Sequence, residues 1–197
     1  NAYVNFAPNS NVNLDVAAGF QDSRALTAFM ETNVSQMSTR ISNSSYTNIM
    51  ANVYGVNAQF SSEGGTQDVL EGSFDVFEFD FKKTDFNLDY DIVLNNLSIR
   101  PGINYQSATY SDVPYLENGV AEGYLNAERE LTNFAYYVKF DYKVLDEKLR
   151  LVAALRSDNY NVPNDSYFTY QFMGSYKFNP NNLVRLVYSK SNRGPFI

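Results

Sequence analysis

The chain has 197 residues, a formal net charge of −7, 16 tyrosines, 15 phenylalanines, and no tryptophan, cysteine or histidine. Lacking cysteine and histidine, it offers no disulfide framework, thiol nucleophile, Cys-based zinc site or Ser-His triad, and only carboxylate, lysine or tyrosine chemistry is left. The acidic balance argues against nucleic-acid binding, which needs a basic stripe, and no apolar run approaches the roughly 18–20 residues of a membrane-crossing helix.

The first residues, Asn1-Ala2-Tyr3-Val4, carry neither an initiator Met nor a signal peptide, so the sequence is expected to begin inside a larger product or after processing. Val12, Leu14 and Val16 alternate with Asn13 and Asp15, a strand expected to end at Gly19. In 23–37, the spacing of Leu26, Phe29, Met30, Val34 and Met37 fits a short helix as well as a twisted strand pair. Alternation returns at 51–60 and 73–81, separated by an expected loop from Ser61 to Gly72 around Gly64-Gly65. Apolar parity flips between Phe81 and Phe86, which predicts a turn or bulge at Lys82-Lys83-Thr84-Asp85.

From there the pattern predicts six strands, at 85–94, 97–110, 131–144, 149–158, 167–178 and 183–190. Their lengths cluster near the ~9–11 residues with which a tilted strand crosses a bilayer. Pro101 is discordant, since it lacks a ladder donor, and with Gly102 it predicts a bulge. Connectors run short at Asn95-Asn96, long at 111–130, short at Asp146-Glu147-Lys148, longer at 159–166 and short at 179–182. Long loops at one end and short turns at the other, on strands with one greasy and one polar face, predict an antiparallel outer-membrane β-barrel. A soluble β-sandwich or jelly roll is the alternative.

Three segments carry a resemblance: Leu97 to Tyr110, with Arg100-Pro101-Gly102; Leu149 to Tyr160, with Arg156 and Asp158; and Leu183 to Pro195, ending in Arg193-Gly194-Pro195. In this order they resemble strands of TonB-dependent outer-membrane receptors of the Bacteroidetes type. The resemblance implies a 22-stranded barrel with an N-terminal plug, and import energised through TonB. No plug or TonB box is recognisable, so residues 1–197 are expected to be a middle part of one barrel domain, about eight to ten strands of the larger whole. The implied cargo is a nutrient such as a glycan, peptide or metal chelate. The implied partners are outer-membrane lipid, TonB and a surface lipoprotein lid, with no cofactor and no enzymatic activity. A complete small barrel of eight to ten strands, structural or adhesive, is the runner-up.

Asp89 and Asp91 share a strand face with Asn87, about 7 Å apart. As oxygen ligands they suit a calcium or cationic-substrate site, and as paired carboxylates a glycosidase, but solvated lumen-facing acids are the expectation. Glu78 and Asp80 are read in the same way. Lys139, Asp141, Arg150, Arg156, Asp158, Lys177 and Arg185 fall on the polar parity of adjacent strands. They form either a solute-selecting ladder or cross-strand ion pairs that stiffen the wall. Tyr136, Phe140, Tyr142, Tyr170, Tyr176 and Phe178 are expected in interfacial girdles. Asp112, Tyr115, Glu117 and Tyr124, on the long connector, are the expected ligand contacts. The sequons at Asn33, Asn43, Asn96 and Asn164 are read as coincidental.

Overall fold

The computed structural model describes residues 1–31, 34–71, 74–116 and 125–192. Its strands are β1 (Ala2–Asn9), β2 (Val12–Glu31), β3 (Val34–Val53), β4 (Val56–Glu71), β5 (Phe74–Tyr90), β6 (Ile92–Leu94), β7 (Leu97–Ser111), β8 (Glu128–Val144), β9 (Leu149–Tyr160), β10 (Asp165–Asn179) and β11 (Asn182–Lys190). All pair antiparallel, each with its neighbour in sequence, and β6 continues β5 along β7. The result is an up-and-down wall ten strands wide, and among the described residues no pairing joins β1 to β11.

Five of the six predicted strands match within three residues at each end; the sixth, 85–94, is the lower part of a longer β5–β6 run. The first half departs more. Gly19 does not end a strand, because β2 runs through it to Glu31 in unbroken register with β3. Residues 23–31 and 34–37 belong to that strand pair, the second of the two expectations, rather than to a helix. The expected loop from Ser61 is strand β4, paired on both sides. Gly65 explains the glycines there, since a Cβ on it would lie 1.9 Å from the Asn43 carbonyl oxygen. The 159–166 connector shrinks to the four residues 161–164, and only 112–127 is long, opening with a turn of 3-10 helix at Val113–Tyr115.

Nor is there a turn or bulge at residues 82–85, where β5 keeps register with β4 and β7 throughout. The parity flip has a different cause. Ile49, Phe60, Phe86, Tyr105 and Phe134 stand directly opposite one another on five adjacent strands. One step further from the short turns, on the same face, stand Thr47, Ser62, Thr84, Ser107 and Thr132. An aromatic row gives way to a hydroxyl row without any change of backbone. On the other face the change is reversed: polar Asp85, Asn87 and Asp89 are followed by buried Phe81, opposite Tyr110. The strand continues straight while the media on its two sides exchange.

Pro101 also sits without a bulge. Asp89 pairs with Gly102 and Ile92 with Ile99, so both strands spend the same number of residues between them. The ladder is interrupted at Asp91 instead, and Asp91 bonds elsewhere, its N–H donating to the Gly55 carbonyl at 2.8 Å. That turn, Tyr54-Gly55, has positive φ at both central residues, 49° and 88°, which suits the twist of a two-residue hairpin.

The wall has almost no core of its own. Among the described residues only Phe81 and Ala135 are buried apolar side chains, while Phe20, Tyr136 and Leu186 are 78%, 57% and 76% exposed. A sandwich would cover that face with a second sheet; here the greasy face is bare on every strand. Register also gives the tilt. A row of opposed residues that starts beside the β1–β2 turn at Val12 ends at Lys190, eight residues along β11 from Asn182 beside the last short turn. With the short turns at one level, a rise of ~26 Å over eight strand spacings of ~4.8 Å gives a tilt of about 35°, as in barrels.

Candidate functional site

The polar face is cross-linked over five strands, β4, β5, β7, β8 and β9. On β5 and β7, the Arg100 Nε and Nη2 donate to the two Asp91 oxygens at 2.6 and 2.9 Å, with Asp89 3.7 Å away. Asn57 of β4 donates to Asp89 at 2.8 Å and to Asp91 at 3.2 Å. Tyr137 of β8 reaches across β7, its hydroxyl 3.0 Å from both Asn87 and Asp89. It passes over Gly102, which pairs with Tyr137 on one side and Asp89 on the other. Arg156 of β9 likewise spans β8, donating to Asn104 at 3.0 Å and to Asp158 at 2.9 Å, while Asn133 donates to Asp158 at 2.9 Å. Small residues under long polar arms, Gly102 and the fully buried Ala135, make this reach possible.

Asp89 and Asp91 are therefore neither free acids nor an open cation cradle. Arg100 occupies both, and among the described residues no cluster of three acidic, histidine or cysteine ligands occurs. Glu78 and Asp80 stand on the opposite face from Asp89, with Lys82, Thr84 and Phe86; Asp80 accepts from Thr66 at 2.6 Å and from Tyr115 at 2.8 Å.

Further along the polar face, Arg150 holds Asp141 with two hydrogen bonds, one of 2.8 Å. Lys139, Lys177 and Arg185 share that face by register with β9 to β11, and among the described residues no carboxylate lies within ion-pair distance of them. The inward faces of β8 to β11 thus hold more cations than acids.

The long connector is built on Asp112, which is 2% exposed. Its carboxylate accepts the backbone N–H groups of Leu125, Asn126 and Ala127 at 2.9, 2.8 and 3.0 Å. Burial pushes the carboxyl pKa up, but these donors outweigh it and hold the group below its ordinary value. Tyr115 is pushed above its ordinary value by burial, and the hydrogen bond to Asp80 acts in the same direction. Glu117, Tyr124, Arg193 and Pro195 lie outside the described residues.

The family model for TonB dependent receptor-like, beta-barrel proteins matches residues 1–196. The chain belongs to that family. No curated protein matches it significantly. The wall is accordingly part of a TonB-dependent receptor barrel of the bacterial outer membrane. In such a receptor the bare aromatic face is outward and the cross-linked polar face lines the lumen. Asn57, Asn104 and Tyr137 were not singled out from the sequence. Polar parity alone points to the two asparagines. Tyr137 is an aromatic at a polar position, and that mismatch is the signal that marks it.

Proposed function

We propose that the chain forms a stretch of wall in a receptor that imports a nutrient, a glycan, peptide or metal chelate, through energy delivered by TonB. The parent receptor is of the Bacteroidetes type that the three motifs resemble, its plug lies elsewhere in the same polypeptide, and a surface lipoprotein closes its mouth. Residues 1–197 serve as scaffold, with lipid on the aromatic face, and no residue does covalent chemistry. The observation that carries this reading is the ten-strand meander with one face bare and greasy and the other knitted by Arg100, Tyr137 and Arg156. Among the described residues the outer edges of β1 and β11 are unpaired, which favours a part of a larger barrel over a complete small one.

The test is uptake by cells carrying the intact receptor, with and without TonB, over a panel of glycans, peptides and metal chelates. A nutrient whose uptake needs both the receptor and TonB supports the reading. Uptake that persists without TonB, or a receptor that partitions into the aqueous phase without detergent, refutes it.

A further inference from the structure

The lumenal groove over Ala154 has a composition that wall stiffening does not explain. Ala154 of β9 has Lys139 of β8 opposite it on one side and Gln171 of β10 on the other. Thr169, Ser189 and Arg156 also line this groove of about 740 Å³, as do Asp89 and Asp158, each ion-paired with an arginine. Lys139, Gln171, Thr169, Ser189 and Arg156 can each donate a hydrogen bond, and the small floor leaves room between the donors. Lys139 and Gln171 flank Ala154 at two strand spacings, about 10 Å, a gap that an anion bridging both can fill.

Lys139 is also electrostatically misplaced. Its direct neighbour across the ladder is another cation, Arg100, and like charges so opposed are destabilising. Asp91 and Asp141 are within electrostatic reach of it. Each is already committed, Asp91 to Arg100 and Asp141 to Arg150, by paired hydrogen bonds. A wall needing only rigidity would carry a neutral residue at position 139. A charge kept exposed, beside a second cation and over a groove whose two carboxylates are already paired, suits a visiting anion.

We infer that the groove over Ala154 is a lumenal subsite for anionic solutes, taking a carboxylate or phosphate group between Lys139 and Gln171. This rests on the transporter reading, because it needs the polar face to line a water-filled lumen. The cargo, or a charged portion of it, is then an anion handed down the β8–β11 side of the wall, where cations exceed acids.

The experiment uses the full-length receptor in detergent at low salt, with citrate and inorganic phosphate as probes and glucose as a neutral control, read by titration calorimetry. Citrate and phosphate bind, glucose does not, and binding weakens as salt rises. Lys139→Gln weakens citrate binding about tenfold, since one charge-assisted contact is lost. Lys139→Arg keeps it within about threefold, and Gln171→Leu weakens it by less than Lys139→Gln. Heat-modifiable migration is measured on every variant. A heat-modifiable receptor that ignores both anions, or a folded Lys139→Gln variant that binds like wild type, overturns the subsite and leaves the barrel reading standing. If Lys139→Gln lowers the unfolding temperature while added anions do nothing to wild type, Lys139 serves the receptor's own wall and the solute proposal is overturned. A receptor that is never heat-modifiable overturns the barrel reading, and the subsite with it.

Discussion

Gly102 is where a single methyl group should do the most damage. A Cβ there would fall 2.4 to 2.7 Å from three atoms of the Tyr137 phenol, its hydroxyl oxygen among them, well inside any real contact. The ring is the far end of a mobile side chain, so the backbone need not move; the ring lifts instead. Lifting withdraws the hydroxyl from Asn87 and Asp89, both 3.0 Å away. One phenolic proton serves both acceptors, so the loss is about one charge-assisted hydrogen bond, ~1.5–3 kcal/mol. Against it, replacing a strand glycine returns ~0.5–1 kcal/mol. Gly102→Ala in the full-length receptor should therefore be destabilising by about 0.5–2.5 kcal/mol, measured as the shift in urea midpoint of the folded, heat-modifiable form. The decisive comparison is the double-mutant cycle with Tyr137→Ala. Without the ring, the methyl has nothing to displace, and Gly102→Ala should become neutral or stabilising, a coupling of ~1 kcal/mol or more. A coupling below about 0.3 kcal/mol would refute the overpass of Tyr137 across β7.

Other consequences are as direct. Charges on the aromatic face should cost stability by depth: Leu88→Lys about 2–4 kcal/mol and Thr84→Lys about 0–1, from refolding into vesicles, and equal costs would contradict the exchange of media between them. Arg100→Ala should cost only about 1–2 kcal/mol by urea titration although it strands two carboxylates, because the Arg100 side chain is 45% exposed and solvent takes up much of the charge. Asp112→Asn should open the long connector to protease about tenfold faster, since it removes the charge that three backbone donors share. The folded pKa of Asp112 is depressed, so its contribution is full above the ordinary carboxylate value and is lost as pH falls through the lowered one. Protection of the connector should therefore hold through mildly acid conditions and fail only at strongly acid pH; earlier failure would mean that Asp112 does not staple it.

How much of this was legible depended on how many strands a feature involves. Within one strand, period-two alternation located β7 to β11 to within three residues at each end, because lipid on one side and water on the other sort side chains at every step. Above the hydroxyl row of Thr47, Ser62, Thr84, Ser107 and Thr132 the outward medium is water, the outward face turns polar, and the alternation loses its contrast. That is why Ser61–Gly72 reads as a loop. Its glycines answer to a neighbouring strand, with Gly65 pressed against the Asn43 carbonyl, and a neighbour's backbone leaves no mark in the local pattern.

The parity flip between Phe81 and Phe86 has the same origin. A flip can come from an added residue or from an exchange of solvents, and a strand read alone cannot distinguish them. Register with β4 and β7 does, because an added residue would break both ladders, and between Phe81 and Phe86 neither is broken. The site lies one level deeper still. Tyr137 reaching Asp89 across Gly102, or Arg156 reaching Asn104 across Ala135, needs the register of three strands at once. A glycine and an aromatic on the polar parity of neighbouring strands are the trace such an overpass leaves in sequence. The same pairing recurs where Gly19 opposes Tyr46, whose ring lies 2.7 Å from the Cβ position of that glycine. This second glycine–tyrosine pair on the polar face repeats the close approach of ring to glycine seen at Gly102.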